Sequence, residues 1–182
     1  MILADYHVHS DFSSDSQAPM EQMIEKAISL GLKRICFTDH MDYDYPPVGK
    51  YSFIFDPDAY VRKIEELKSR YAKDIEILTG IELGLQPHLA ERMTVLLASY
   101  PFDFVIGSSH VVDGIDPYYP EYWENRSIYD GIYRYYESII ENCKVFNGFN
   151  VYGHIDYIIR YLPGQLKSPV KMDYSYADYA EI

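Results

Sequence analysis

Five of the six histidines in this sequence follow short apolar segments, where a β-strand is expected to give way to a loop. They are His7, His9, His40, His110 and His154. The carboxylate Glu82 ends another apolar segment in the same manner. Barrel and open α/β enzymes place their chemistry at strand ends, and imidazoles and carboxylates are common ligands of divalent ions. The pattern therefore predicts a multi-metal hydrolytic site on one rim of the fold.

Each of these residues also has a purely structural interpretation. The side chains of His7 and His9 project from the same face of a strand because the residues are two positions apart. They could bind one ion or form a hydrogen-bonded pair in the core. His40 could cap a loop, His110 could bond to a backbone carbonyl, and Glu82 could pair with a basic side chain. If all of these residues were structural, ligand-type side chains from five strands would share one rim only by coincidence. A metal site is therefore favoured over the structural interpretations.

The predicted strands alternate with predicted helices, which indicates parallel βαβ units in one α/β domain covering residues 1–182. The predicted strands cover residues 2–9, 33–38, 76–83, 102–108 and 150–154. The predicted helices cover residues 19–30, 56–71, 87–99 and 127–146, and another is expected to begin at Asp173. Ser127 and Asp130 have the spacing of a capping box at the start of the fourth helix.

Two features go beyond this regular alternation. The loop 41–55 is longer than a plain connector, so we expect it to form part of a lid or a pocket wall. Five strands do not close a barrel, and complete barrels of this kind need about 250 residues. We therefore expect the 182-residue chain to be truncated at its C-terminus.

Composition and charge narrow the class of protein. The chain is 48% hydrophobic with a net charge of -12 and a pI near 4.8, which predicts an acidic globular domain. Such a surface disfavours nucleic acid and anionic membranes as partners. We expect a cytoplasmic protein, because the sequence shows neither a membrane-spanning apolar run nor the basic start of a signal peptide. Cys36 lies in an apolar run and is predicted to be a buried free thiol.

Five motifs occur in a fixed order: Asp-Tyr-His-Val-His-Ser, Thr-Asp-His, Gly-Ile-Glu, Ser-Ser-His and Gly-His-Ile-Asp. Together they resemble the polymerase and histidinol phosphatase (PHP) superfamily. Within it, Thr-Asp-His-Met-Asp-Tyr, Gly-Ile-Glu-Leu-Gly-Leu-Gln-Pro and Gly-His-Ile-Asp-Tyr-Ile-Ile-Arg-Tyr are most similar to the histidinol-phosphate phosphatases. The resemblance extends to about Tyr161. It implies a distorted (β/α)7 TIM-like barrel, three divalent ions, and hydrolysis of L-histidinol phosphate in histidine biosynthesis.

The resemblance also implies a ligand set. The first ion would take His7, His9 and Glu82, the second would share Glu82 with His110 and His154, and the third would take His40 and Asp15. Some relatives have His at the Asp15 position, and the oxygen ligand here would favour Mn²⁺, Fe²⁺ or Mg²⁺ over Zn²⁺. The superfamily carries a further Asp-x-His motif after its last strand, and none follows His154, which agrees with a truncated chain.

The chemistry implied is phosphomonoester hydrolysis by water that the ions activate. Glu82 and His110 would act at the catalytic centre, and Arg160 would donate two hydrogen bonds to the phosphoryl oxygens. Without the resemblance, Arg160 could equally be a surface residue. Asp116 and Glu121 could receive the cationic end of the substrate.

Several questions stay open on sequence alone. Asp39 and Asp156 could orient ligand imidazoles or could be ordinary loop carboxylates. Another PHP-type activity, either as a general or protein-tyrosine phosphatase or as a phosphodiesterase, would use the same ligands. A non-catalytic scaffold is less compatible with a filled ligand set. The sequence leaves homo-oligomerisation undecided.

Overall fold

The structure is a computed structural model that describes residues 2–47 and 52–164. Its strands are β1 (Ala4–Val8), β2 (Arg34–Phe37), β3 (His40–Met41), β4 (Glu76–Gly84), β5 (Phe104–Ser108) and β6 (Val151–Tyr152). Its α-helices are α1 (Met20–Ser29), α2 (Pro57–Arg70), α3 (Ala90–Ser99) and α4 (Ile128–Val145). Three short 3-10 helices cover Pro87–Leu89, Pro120–Trp123 and Tyr157–Tyr161. The helix expected from Asp173 lies outside the described residues.

The strands form one parallel sheet in the order β1-β2-β4-β5-β6, and the short β3 pairs with the second half of β4. Every pairing between these strands is parallel. Parallel pairing requires long crossovers, which the helices provide in this chain. The carboxyl ends of the strands therefore meet at one edge, as the alternating sequence pattern predicts.

The main hydrophobic core lies between the sheet and the helices that cross over it. Met20, Ile24 and Ala27 recur at helical spacing on α1 and are all buried. Tyr60 and Ile64 form the same kind of stripe on α2. These stripes pack against the apolar residues of β2 and β4, and this fixes the sheet edge that carries the histidines. Cys36 is confirmed as a buried free thiol within this sheet.

A second, smaller cluster packs beside the histidine-bearing edge. Its buried members are Val112, Tyr122, Ile132, Tyr135, Ile158 and Leu162. It joins α4 to the 3-10 helices Pro120–Trp123 and Tyr157–Tyr161, neither of which the sequence predicts. The cluster holds the segments that follow β5 and β6 against the body of the domain.

Two helix starts follow the local chemistry of their sequences. The Asp56 side chain caps α2 by accepting a hydrogen bond from the backbone N–H of Asp58 at 3.0 Å. Ser127 caps α4 in the same way, with the N–H of Asp130 at 3.1 Å, so the predicted cap is confirmed. Within the described residues, no helix combines the length and the apolar character needed to cross a bilayer.

Candidate metal centre

The strand ends bring all seven predicted ligands to one cavity of about 820 Å³. Six of them line the cavity: His7, His9, Asp15, His40, His110 and His154. The seventh, Glu82, is fully buried in β4, and its carboxylate contacts histidines that line the cavity. The described part of the 41–55 loop adds Tyr45 and Phe53 to the cavity wall, as expected of a pocket-forming loop.

Glu82 lies at the centre of the arrangement. Its Oε2 is 3.0 Å from His7 Nε2 and 3.1 Å from His9 Nε2. Its Oε1 is 2.9 Å from His154 Nε2 and 3.4 Å from His110 Nε2. His40 Nδ1 also lies 3.5 Å from Oε2. The two carboxylate oxygens therefore face different imidazoles, which is the geometry of a carboxylate able to bridge two ions.

Local backbone geometry directs these side chains. The pairing of β1 with β2 shifts register between Asp5 and Val8, and such irregularities re-aim side chains next to functional sites. His7 lies within the shift, and its N–H donates to Asp5 Oδ1 at 3.1 Å. On β5, the Ser108 hydroxyl donates to Glu82 Oε1 at 2.6 Å and holds that oxygen in place.

A third group lies on the other side of His9. Asp15 Oδ2 is 3.0 Å from His9 Nδ1 and 3.5 Å from His40 Nε2. Each of these groups offers ligand atoms that all lie within 4.8 Å of one another. The structure thus assembles the three predicted sets, with His9 contacting two of them. Their occupancy by ions stays a prediction.

The donor chemistry fits divalent ions. His9 Nε2 and His40 Nδ1 are buried and have no hydrogen-bond partner, although each lies within 3.5 Å of Glu82 Oε2. Buried polar atoms without partners are rare in proteins, and an ion bound by His9 Nε2 would satisfy that atom. The groups contain nitrogen and oxygen donors and no thiolate, a set that suits Zn²⁺, Mn²⁺ or Fe²⁺.

Without ions, buried imidazoles and carboxylates of the site shift one another's pKa values. Burial alone would lower the pKa of His9, but Asp15 and Glu82 raise it to about 9. Burial would likewise lower the pKa of His40, and its carboxylate neighbours, Asp42 foremost, raise it to about 10. Burial would raise the pKa of Glu82, and the surrounding histidines hold it well below its usual range. Any bound ion must therefore displace protons.

The sequence prediction missed Asp42. This carboxylate is 3% exposed, and its Oδ2 is 2.8 Å from His110 Nδ1. Its only sequence signal is its place two residues after His40 in Thr-Asp-His-Met-Asp. Asp39, a candidate orienter of imidazoles, instead accepts hydrogen bonds from the backbone and hydroxyl of Ser10 and from the Ser13 hydroxyl. It anchors the loop after β1.

The predicted substrate-binding residues separate into two groups. Asp116 and Arg160 both line the cavity. Asp116 is buried and accepts hydrogen bonds from Tyr45 Oη at 2.6 Å and Tyr157 Oη at 3.0 Å. Glu121 does not line the cavity. It is exposed on the 3-10 helix Pro120–Trp123, because that helix turns the neighbouring Tyr122 into the core.

The chain is similar in sequence to a known protein family and to a curated relative. The family model of the PHP domain matches residues 5–182. A curated histidinol-phosphatase of Lactococcus lactis subsp. lactis is 32% identical over 165 residues, which cover 90% of this chain and 60% of the relative. The chain thus spans about three fifths of the length of that relative.

Two solved structures resemble the fold. The crystal structure of histidinol phosphate phosphatase from Lactococcus lactis, complexed with zinc, L-histidinol and phosphate, aligns with a TM-score of 0.83 at 32% identity. The alignment covers 92% of this chain and 63% of that chain. A Listeria monocytogenes structure aligns with a TM-score of 0.70 at 19% identity over 85% of this chain and 67% of its own, which supports the fold alone. With a parallel half-barrel shared with a solved relative and a family model that matches almost its whole length, the chain belongs to the PHP domain family.

Proposed function

We propose that this protein is a metal-dependent phosphomonoester hydrolase that converts L-histidinol phosphate into L-histidinol and phosphate, a reaction of histidine biosynthesis. The observation that carries the proposal is Glu82, whose two oxygens each face a pair of histidines within 3.4 Å in a cavity that also holds Arg160. The zinc, L-histidinol and phosphate bound by the Lactococcus lactis relative support the same reaction. We further propose three ion positions, one for each predicted ligand set.

The charge of the cavity argues for bound cations. Asp15, Asp42 and Asp116 line it, and Arg160 is the one Lys or Arg among its described lining residues. A phosphate dianion would be repelled from such a surface unless cations offset the carboxylates. Divalent ions, when bound, supply that charge and lower the pKa of water toward neutrality.

Three residues of the site would have separate roles in the proposed reaction. Glu82 would hold two ions, because its two oxygens face different histidines. Arg160 donates its planar N–H pair to phosphoryl oxygens and offsets the charge that grows there during phosphoryl transfer. His110, buried against Glu82, is fixed in orientation and keeps its Nε2 toward the centre.

The part of the cavity around Asp116 suits a cationic, aromatic leaving group. Burial raises the pKa of Asp116, while Tyr45 and Tyr157 lower it by hydrogen bonding, and an ammonium or imidazolium group would favour its charged form further. Tyr118 and Tyr161 also line this side and offer aromatic faces to an imidazole or a cation. We propose Asp116 as the residue that receives the cationic end of the substrate.

Steady-state hydrolysis of three substrates tests the proposal: L-histidinol phosphate, p-nitrophenyl phosphate and a dinucleotide, each with added Mn²⁺. We expect kcat/KM to be highest for L-histidinol phosphate. His110→Ala should abolish turnover, and His88→Ala should not, because His88 is 59% exposed and pairs with Asp44 outside the cavity. Equal, feeble rates on all three substrates would contradict the substrate assignment. Preference for the dinucleotide would favour a phosphodiesterase.

A further inference from the structure

We propose that Asp42 is a positioning residue that fixes the orientation and tautomer of one candidate metal ligand, His110. The inference rests on the metal centre of the proposed function. Asp42 directly follows β3, and only 3% of it is exposed. None of the predicted ligand sets includes it.

The contacts of Asp42 place it between the two rings. Its Oδ2 is 2.8 Å from His110 Nδ1, and its Oδ1 is 3.6 Å from His40 Nδ1. Each ring directs its other nitrogen to a different group. His110 Nε2 is 3.4 Å from Glu82 Oε1, and His40 Nε2 is 3.5 Å from Asp15 Oδ2. The contact with His110 is a hydrogen bond, whereas the longer one to His40 is an ion pair only; among the described residues, neither Asp42 Oδ1 nor His40 Nδ1 has a hydrogen-bond partner.

The negative charge of Asp42 is compensated by histidines. Within residues 2–47 and 52–164, the ion pairs of Asp42 are with His40 and His110, and none is with a lysine or an arginine. A buried carboxylate without donors is strongly destabilising, so Asp42 needs the N–H group of His110. An imidazole that donates through Nδ1 leaves the Nε2 lone pair for a metal ion. Asp42 thus selects the tautomer in which His110 can offer Nε2 to an ion.

The neighbouring strand leaves space for this carboxylate. A Cβ atom built on Gly84 of β4 would lie 2.6 Å from both Cγ and Oδ1 of Asp42. The φ angle of Gly84 is not positive, so the position needs glycine for space and not for backbone freedom. Any side chain at Gly84 would displace the Asp42 carboxylate from the His110 ring.

Asp42 could instead be a ligand, because His40, Asp42 and His110 form a buried group with ligand atoms within 4.8 Å. The other nitrogen of His110 argues against this. His110 Nε2 already faces Glu82 Oε1 at 3.4 Å, and a neutral imidazole has one nitrogen lone pair for an ion. With that lone pair at Nε2, Nδ1 carries the proton, and its 2.8 Å distance to Asp42 Oδ2 is a hydrogen-bond length.

Zinc binding by the purified protein tests the role of Asp42. We compare wild type with Asp42→Asn and Asp42→Ala, using competition with a chromophoric chelator for affinity and elemental analysis for stoichiometry. Asp44→Asn is the matched control, because Asp44 is exposed and its partners are His88 and Arg92. We expect Asp42→Ala to weaken zinc binding by about 10- to 100-fold at the position that His110 would serve, and Asp42→Asn to weaken it less, because the amide oxygen can still accept the Nδ1–H. The control should bind zinc as wild type does.

A spectroscopic readout separates positioning from general destabilisation. In ¹H–¹⁵N spectra of the zinc-loaded wild type, His110 should show a protected Nδ1–H, and Asp42→Ala should lose it. Gly84→Ala keeps the carboxylate but displaces it, and should weaken zinc binding in the same manner even if Asp42→Ala fails to fold.

Three outcomes would overturn the inference or its foundation. Wild-type zinc affinity in Asp42→Ala, or in Gly84→Ala, would show that the carboxylate does not position the ligand. Complete loss of one zinc equivalent in Asp42→Asn, whose amide oxygen can still accept the Nδ1–H of His110, would identify Asp42 as a ligand. A wild-type protein that binds no zinc or manganese would refute the metal centre and the proposed function together, whereas the first two outcomes leave the proposed function intact.

Discussion

Glu82 keeps its charge in a fully buried position because imidazoles surround it on both oxygens. Burial on its own would raise the pKa of this carboxyl, and His110 and His154 are the strongest of the groups that lower it. The same contacts that stabilise the charge in the metal-free chain occupy the places where ions would bind. A substitution of Glu82 that removes the charge and keeps the shape should therefore affect metal binding strongly.

We expect Glu82→Gln to lower kcat/KM for L-histidinol phosphate by more than about 100-fold, beyond what loss of an outer-shell partner costs. The amide can neither bridge two cations nor compensate the neighbouring imidazolium groups. Steady-state kinetics and elemental analysis of bound metal check this expectation. Glu91→Gln is the control, because Glu91 is exposed on α3. Full metal content and activity in Glu82→Gln would contradict a bridging role.

At the scale of single elements, local chemistry accounts for much of the fold. Ser127 accepts the Asp130 N–H at 3.1 Å and starts α4, the helix that carries Ile132 and Tyr135 into the second hydrophobic cluster. We expect Ser127→Ala to lower the free energy of unfolding by about 1 kcal/mol, since one N–H at the helix start loses its partner. Urea denaturation of the metal-free protein measures this.

The control for the cap is Ser69→Ala on α2. The Ser69 hydroxyl is exposed and donates to Glu65 O within the helix, an interaction that contributes little to helix stability. We expect a change of only a few tenths of a kcal/mol there, because alanine has the higher helix propensity. Equal effects of the two substitutions would contradict the capping role of Ser127.

The sequence predicted the elements that have a strong local pattern. β2, β4 and β5 start and end within two residues of their predicted bounds, because apolar runs end abruptly at polar residues. β3 was missed because two residues show no periodicity, and its strand character comes from pairing His40 with Glu82. Asp42 was missed for a related reason. Its burial depends on Gly84 and His110, which lie far along the chain.

At the scale of the whole molecule, parallel pairing collects the functional side chains. Because the described strands all run the same way, the residues at their carboxyl ends share one edge of the sheet. The predicted α/β architecture is confirmed as a parallel half-barrel, and the closed (β/α)7 barrel stays a prediction. The described edge concentrates carboxylates and histidines in one cavity, so the protonation of that cavity is coupled to the stability of the fold.

This coupling has a definite sign. The pKa values of His9 and His40 are raised to about 9 and about 10 from an ordinary value of 6.5. Their contribution to the stability of the metal-free protein is fully present below 6.5 and is lost as the pH rises through about 9 to 10. The stabilisation by bound ions has the opposite pH dependence and increases as the pH rises. The reason is that metal-bound histidines must be neutral, so each binding event releases protons.

We therefore expect the increase in Tm caused by saturating Mn²⁺, relative to protein with chelator, to grow from about pH 6 to about pH 9. Thermal unfolding followed by circular dichroism at several pH values measures this increase. His9→Gln removes one titrating ligand and should reduce the growth, whereas His88→Gln should leave it unchanged because His88 lies outside the cavity. A pH-independent increase in Tm would mean that the ions do not compete with protons for these histidines, and the ligand assignment would then be wrong.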